Sequence, residues 1–261
     1  MAAAPTLLTA RQALNTVDAM ERARAAGAEW LISIDADELV AIDLANEAPG
    51  QLVIALGAVP APVESVVFPT LEMVQRRVAY EDVMAQETLF KRSAARRLAR
   101  DVWDPFLGRA RRLPVVYGHL AGKSALRLSV DAVPYSVHRF RHAGGRRLRA
   151  AVVGHLLHYY CADENAFIRK FRLIRDQPDV YLRGEPVPAQ KRLWRDVVSR
   201  AGLSDDELRD YFRRWVMFDQ RQLEKLTHRR LGPLPRASAV VEVLAVQRLL
   251  QAMAQAPRQG A

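Results

Sequence analysis

The sequence predicts an α/β fold followed by an α-helical C-terminal region. Three observations carry this expectation. The apolar runs at 30–34 and 65–68 have the near-continuous hydrophobicity of strands covered on both faces. A helical pattern leads directly into the first of them, as in half of a βαβ unit. From Asp163 onward the pattern turns helical, with Phe167, Phe171 and Ile174 on one face. The expected division is an α/β unit over 1–162 and a helical extension over 163–261.

Element by element, Thr9-Ala-Arg-Gln12 has the form of a capping box and predicts a helix from about residue 10, with Gly27 as its stop. A strand over 30–34 follows at once. Asn46 to Gly50 is a turn cluster, 52–56 a short helix, and 65–68 a second strand closed by Pro69. Residues 70–114 mix helix-like and basic patches, with breaks at Asp104-Pro105 and Leu113-Pro114. Short strands are expected at 115–118, 126–130, 135–138 and 152–160, with a turn at Gly144-Gly145. Asp163 is a good N-cap for a helix ended by Pro178, and a second helix is expected over 189–201. Ser204-Asp-Asp-Glu207 is a capping box for a helix running to His228-Arg229-Arg230, with Gly232-Pro233 beyond, and a last helix should cover 238–255.

The chemistry concentrates at the end of the first strand, where Asp35-Ala36-Asp37-Glu38 places three acids after an apolar run. Buried carboxylates are costly unless a cation meets them. A hard divalent ion shared with the phosphates of a substrate, Mn2+ or Mg2+, meets that need. A lone D-x-D is a weak signal, and the preceding strand strengthens it. Charge is divided along the chain: residues 1–90 hold 5 basic and 13 acidic side chains, and residues 91–261 hold 34 and 16. The basic half suits polyanionic partners such as diphosphates, a membrane surface or nucleic acid. The stretch 91–112, with 8 basic and 2 acidic residues, matches no nucleic-acid motif, and no specific nucleic acid is expected. A non-catalytic basic protein that binds polyanions is the alternative class. No phosphate loop of the G-x-x-x-x-G-K-[ST] type is present. No run of apolar residues is long enough for a membrane span, the first residues lack the form of a signal peptide, and Cys161 is the single cysteine. A reducing compartment is expected.

Beyond these residues, the segment 15–39 with its Glu29-Trp-Leu-Ile-Ser-Ile-Asp-Ala-Asp-Glu-Leu39 text resembles the middle of GT-A-fold glycosyltransferases of the family 2-like group. Gly122-Lys123-Ser124-Ala125-Leu126-Arg127 resembles its GKS-x-x-R stretch, and Val137-His138-Arg139-Phe140 its HRF stretch. Leu157-His158-Tyr159-Tyr160 followed by Phe167-Ile-Arg-Lys170 resembles its HY…F…K stretch. The likeness covers roughly 12–175 and implies a metal-dependent transfer of a sugar from a nucleotide-sugar to a glycan or lipid-linked acceptor.

It implies Asp37 on the metal and Asp35 near the ribose or sharing the ion. Lys123 and Arg127 become candidates for donor or acceptor phosphate contacts, His138 for a donor contact, and His158 for a third metal ligand. Glu72, Glu87 and Asp104 are available as a base, and nothing in their spacing chooses among them. Glu38 is a candidate to tie down the loop. The resemblance also implies a cytoplasmic enzyme, peripheral to a membrane at most. In that group, strands with an Asn-Glu motif lie well upstream of the D-x-D, whereas here 34 residues precede Asp35 and predict one helix. The resemblance therefore implies a GT-A-like fold with an incomplete Rossmann-like mixed sheet, without its first strands and with an open edge.

Overall fold

The computed structural model describes residues 8–181, 184–200, 202–228 and 238–255. It is a mixed α/β architecture of several small sheets and flanking helices. Helix α1 (Leu8–Ala25) ends where predicted: Ala28 N–H bonds to Ala23 O and Gly27 N–H to Arg24 O, with Gly27 at φ 72°. Those two bonds satisfy carbonyls that the last turn leaves open. Thr9 lies inside this helix rather than capping it, and Gln12 reaches toward the acidic loop. Strand β1 (Trp30–Ile32) runs into that loop, and β2 (Glu38–Ala41) leaves it. Helix α2 (Gln51–Gly57) covers the first sheet through Leu52 and Leu56.

Strands β3 (Ser65–Phe68) and β4 (Thr70–Met73) flank Pro69. Helix α3 (Val83–Gln86), strand β5 (Leu89–Arg92), the hairpin β6 (Ala99–Asp104) with β7 (Arg109–Pro114), and strand β8 (Lys123–Arg127) follow. A second hairpin joins β9 (Ala132–Ser136) to β10 (Arg139–His142). Then come β11 (Ala150–Val152) and β12 (His155–His158). Helices α4 (Glu164–Leu173), α5 (Ala189–Ser199), α6 (Asp205–Tyr211) and α7 (Gln220–His228) form the helical side, and β13 (Val240–Glu242) and α8 (Ala245–Gln255) complete the described chain.

The first sheet has the order β1-β8-β3-β11, and the second β13-β5-β4-β12-β2. Two parallel pairs, β3 with β11 and β4 with β12, link them. Both segments, β3 into β4 and β11 into β12, step from one sheet to the other at the same level. One does so at Pro69, which has no N–H to give a ladder. The other does so at Gly154, at φ 54°, where a Cβ would come within 2.4 Å of Ala41 O. This is why the strand expected over 152–160 is broken in two. Strand β1 is an edge of the first sheet among the described residues; it is shorter than the expected 30–34, half-buried and antiparallel to β8, and so is not the strand of a βαβ unit covered on both faces.

Other boundaries also moved. Residues 115–118 form no strand, because the backbone N–H groups of Tyr117 and Gly118 turn toward the Glu72 carboxylate. The expected strands at 126–130 and 135–138 lie instead at β8 and β9. Helix α4 ends at Leu173, short of Pro178, with Asp163 as its N-cap accepting from Ala166 N–H at 2.7 Å. The Ser204 capping box is present, but the long helix it opens is interrupted. Residues 212–216 form a π-type turn, and Phe218 N–H then bonds to Gln75 O at 2.7 Å. Tertiary partners outweigh helix propensity there. The last helix is preceded by β13, whose Val240 and Val241 pair with β5. Arg229-Arg230 and Gly232-Pro233 lie outside the described residues.

The largest core joins the two regions. Phe167, Phe171, Trp194, Phe212 and Val216 from the helical side share it with Val74, Val102, Leu113 and Tyr117. Trp194 is fully buried and meets Tyr117 edge to face at 4.8 Å. The corner after β12 is tight, with Cys161 in the left-handed region at φ 48° and its thiol raised to about 12 by burial. Among the described residues no helix is long and apolar enough to cross a membrane.

Candidate functional site

The site lies at the end of β1 where the acidic loop, the start of β8, the end of β12 and the helical side meet. Its base is a row of polar residues across the second sheet. His158 on β12 is opposite Glu38 on β2 and Glu72 on β4, and Glu72 is opposite Lys91 on β5. All four are buried, with exposures of 3% or less. Such a row is costly unless every member is matched.

The matching is specific. Lys91 Nζ lies 2.6 Å from Glu72 Oε1, 2.9 Å from Gln75 Oε1 and 3.0 Å from Val115 O. Glu72 accepts in addition from Tyr117 N–H at 2.8 Å and from Gly118 N–H. Burial works against the Glu72 charge, but Lys91 and its neighbours hold the carboxyl below the usual range. Glu38 Oε2 accepts from Asp35 N–H at 2.7 Å, so Glu38 does tie down the loop. Its other oxygen is 2.5 Å from His119 Nε2.

The two acids of the D-x-D each have a lysine. Asp35 accepts from Lys123 Nζ at 3.1 Å and from Gln12 Nε2 at 2.9 Å. Asp37 accepts from Lys170 Nζ of α4 at 2.7 Å, with His158 Nε2 at 3.7 Å. Burial opposes the Asp37 charge, and the His158 imidazole and Lys170 ammonium more than offset it, so its carboxyl titrates well below the usual range.

Three imidazoles meet over this floor. His119 lies 4.2 Å from His138 and 4.8 Å from His158, ring centre to ring centre. Burial, helped by nearby cations, pushes His119 and His138 down to about 3, so both are neutral near pH 7. The Nδ1 atoms of His119, His138 and His158 are buried without a hydrogen-bond partner. One ligand atom each from Glu38, His119 and His158 falls within a 4.8 Å cluster. A carboxylate with neutral imidazoles is a donor set that suits a first-row divalent ion.

Of the residues expected from sequence, Asp35, Asp37, Lys123, His138 and His158 are brought together. Arg127 is not. It sits at the far end of β8, about 13 Å along the strand from Lys123. There its guanidinium pairs with Glu29, donates to Val59 O and Val63 O at 3.1 Å, and stacks 4.3 Å over Trp30. The three acids available as a base are all engaged. Glu72 is paired with Lys91, Glu87 with Arg76 and Tyr80, and Asp104 caps the β6–β7 turn while binding Arg111.

Sequence reasoning missed His119 and Lys191. His119 stands in a loop with no pattern to mark it, and only the three-dimensional contact with Glu38 reveals it. Lys191 belongs to an amphipathic helix in which a basic residue is unremarkable.

Compared with known proteins, the chain is 31% identical over 139 residues to a glycosyltransferase-like protein of Arabidopsis thaliana. The match covers 52% of this chain and 26% of that relative, so the chain spans about a quarter of the relative's length. No family model matches the chain, and no solved structure matches it.

Proposed function

We propose that this protein is a glycosyltransferase that takes a sugar from a nucleotide-sugar donor, with Mn2+ or Mg2+ held at the acidic loop. The observation that carries the reading is the convergence of Asp35, Asp37, Lys123, His138 and His158 on one end of β1. The partial likeness to a glycosyltransferase-like protein supports it. A GT-A-like fold belongs to the same proposal, supported by the D-x-D that follows β1 and by antiparallel β8 beside it. So does the division into 1–162 and 163–261. Location in the cytoplasm, at most beside a membrane face, is part of the proposal too.

Asp37 and His158 would hold the ion, with Glu38 and His119 adjacent to complete its oxygen and nitrogen ligands and Asp35 beside them. The imidazole content favours manganese over magnesium. The bound ion would supply Lewis acidity toward a departing diphosphate. Lys123 would hold Asp35 and Glu38 in place and add positive charge near the donor phosphates. His138 would line the donor side above His119. A glycan or lipid-linked acceptor would enter from the open side of the loop.

Calorimetric titration of manganese and a panel of nucleotide-sugars tests this. The wild type should bind a nucleotide-sugar only with the metal, and Asp37→Asn and His158→Ala should each abolish that dependence. Equal binding by the variants refutes the assignment. DNA binding with a steep salt slope, indifferent to those substitutions, would favour the polyanion-binding alternative. Against that alternative, Arg100, Arg111 and Arg127 of the basic half are tied into internal ion pairs or carbonyl contacts.

A further inference from the structure

Three of the four lysines around the site are paired with its acids. Lys91 is paired with Glu72, Lys123 with Asp35 and Glu38, and Lys170 with Asp37. Lys191, in the first turn of α5, has no hydrogen bond or ion pair among the described residues. It is nonetheless turned inward. Its ammonium lies 5.5 Å from the ring centre of Tyr160, against the same ring that Lys170 meets at 4.0 Å. Two ammonium groups on one buried ring repel each other, and burial depresses the Lys191 pKa, with Lys170 adding to the effect. The acids in its field, Glu72 and Asp37, already carry lysines of their own.

Three further features point the same way. The side-chain Nε2 of Gln190, the neighbour of Lys191, is buried and has no hydrogen-bond partner. The Tyr160 hydroxyl is likewise buried without a partner. The N-cap of α5 is Pro188, so no side chain caps the helix and its first N–H groups are left open. Each of these groups can donate a hydrogen bond, and the two side chains have no acceptor among the described residues. An unpaired ammonium beside a buried hydroxyl that lacks a partner, at the uncapped start of a helix, calls for an anion.

We propose that Lys170 and Lys191, with the Tyr160 hydroxyl, form a binding site for a phosphoryl anion beside the acidic loop. It rests on the transferase reading only for the source of that anion, which is either the donor diphosphate or a phosphate on the acceptor. The site is built from α4 and α5, so the helical side contributes directly to ligand binding. When the anion binds, the Lys170–Lys191 repulsion is relieved. Lys191 then gains the counter-ion it lacks.

The probe is inorganic pyrophosphate, titrated calorimetrically in EDTA so that no metal contributes. Wild type should bind it. Lys191→Ala and Lys191→Met should weaken binding by about ten-fold or more, as loss of a charge-assisted hydrogen bond implies. Lys191→Arg should restore most of it, and Lys225→Ala, on the exposed face of α7, should leave it unchanged. Thermal melts of each variant show that the fold is intact. The two lysine replacements of different length guard against one that fails to fold. No binding by folded wild type, or equal binding by Lys191→Ala, overturns the proposal.

Competition identifies the source. Displacement of pyrophosphate by a free nucleoside diphosphate assigns the site to the donor, and simultaneous binding assigns it to an acceptor phosphate. Lys191-dependent pyrophosphate binding with no binding of any nucleotide-sugar would sink the transferase reading and leave the anion site standing.

Discussion

Replacing Gly118 by alanine tests the floor of the site most directly. The residue is adjacent to Tyr117, in the loop that turns its N–H groups toward Glu72. Its backbone lies outside the left-handed region, so alanine brings no backbone strain of its own. The added Cβ would stand 2.6 Å from His158 Cε1, 2.7 Å from His158 Nδ1 and 2.7 Å from Glu72 Oε2. Ordinary contact needs about 3.5 Å or more, so something must give by nearly an ångström. Neither neighbour is free to do so. Glu72 is fixed by Lys91 at 2.6 Å and by two backbone donors, and His158 sits in the strand register between Glu38 and Glu72. Overpacking of this kind costs about 1–3 kcal/mol. At 2 kcal/mol, a chain of this size should lose about 4–8 °C in Tm. Circular dichroism melts measure that loss. A manganese titration should show weakened binding, because the displaced ring is a ligand candidate. A variant that melts within about 1 °C of wild type and binds manganese equally would refute the packing of His158 and Glu72 against Gly118.

Further outcomes concern the rest of the frame. Lys91→Met leaves the Glu72 carboxylate buried without its counter-charge and should cost about 3–5 kcal/mol in chemical denaturation. Adding Glu72→Gln should recover most of that, and a double variant no more stable than the single one would deny the pairing. Gly154→Ala, which must hold φ 54° and place a Cβ 2.4 Å from Ala41 O, should destabilise by more than about 1 kcal/mol. An unchanged denaturation midpoint would show that this corner does not need glycine. Hydrogen bonding from Arg146, with the Arg149 N–H, lowers Glu64 from 4.5 to about 2. Its contribution to stability is therefore complete above pH 4.5 and disappears as the pH falls to about 2. Wild type should lose stability more steeply over that window than Glu64→Gln, and parallel curves would show the shift to be absent.

Features settled by a few neighbouring residues were legible in the sequence. The Gly27 stop, the Asp163 cap and the Ser204 capping box each depend on bonds within one turn, and all three are present. Strand β3 follows from its own apolar run. What escaped detection depends on distant partners. The helix expected to run on from Ser204 breaks where Arg100 takes the carbonyls of Val216 and Met217 and Gln75 takes the Phe218 N–H. Residues 115–118 resemble a strand by composition, yet their N–H groups serve Glu72 instead of a ladder. In the site, the three acids after β1 announce themselves because carboxylates beside a buried strand are unusual. Arg127 looked equivalent to Lys123 in sequence, but four steps along β8 carry it to the other end of the strand. His119 and Lys191 gain their meaning only from contacts with segments far away in the chain.

The buried corner at Cys161 makes the protein convenient to instrument. A thiol pushed up to about 12 and enclosed between β12 and α4 is almost wholly protonated in neutral buffer and hidden from alkylating reagents. The native chain therefore offers no reactive background to maleimide dyes or spin labels. A single Val53→Cys exchange on α2, where the side chain is 74% exposed, would supply one addressable position without first removing the natural cysteine. Distances between that probe and a manganese ion titrated into the proposed site could then be measured on an otherwise unaltered protein.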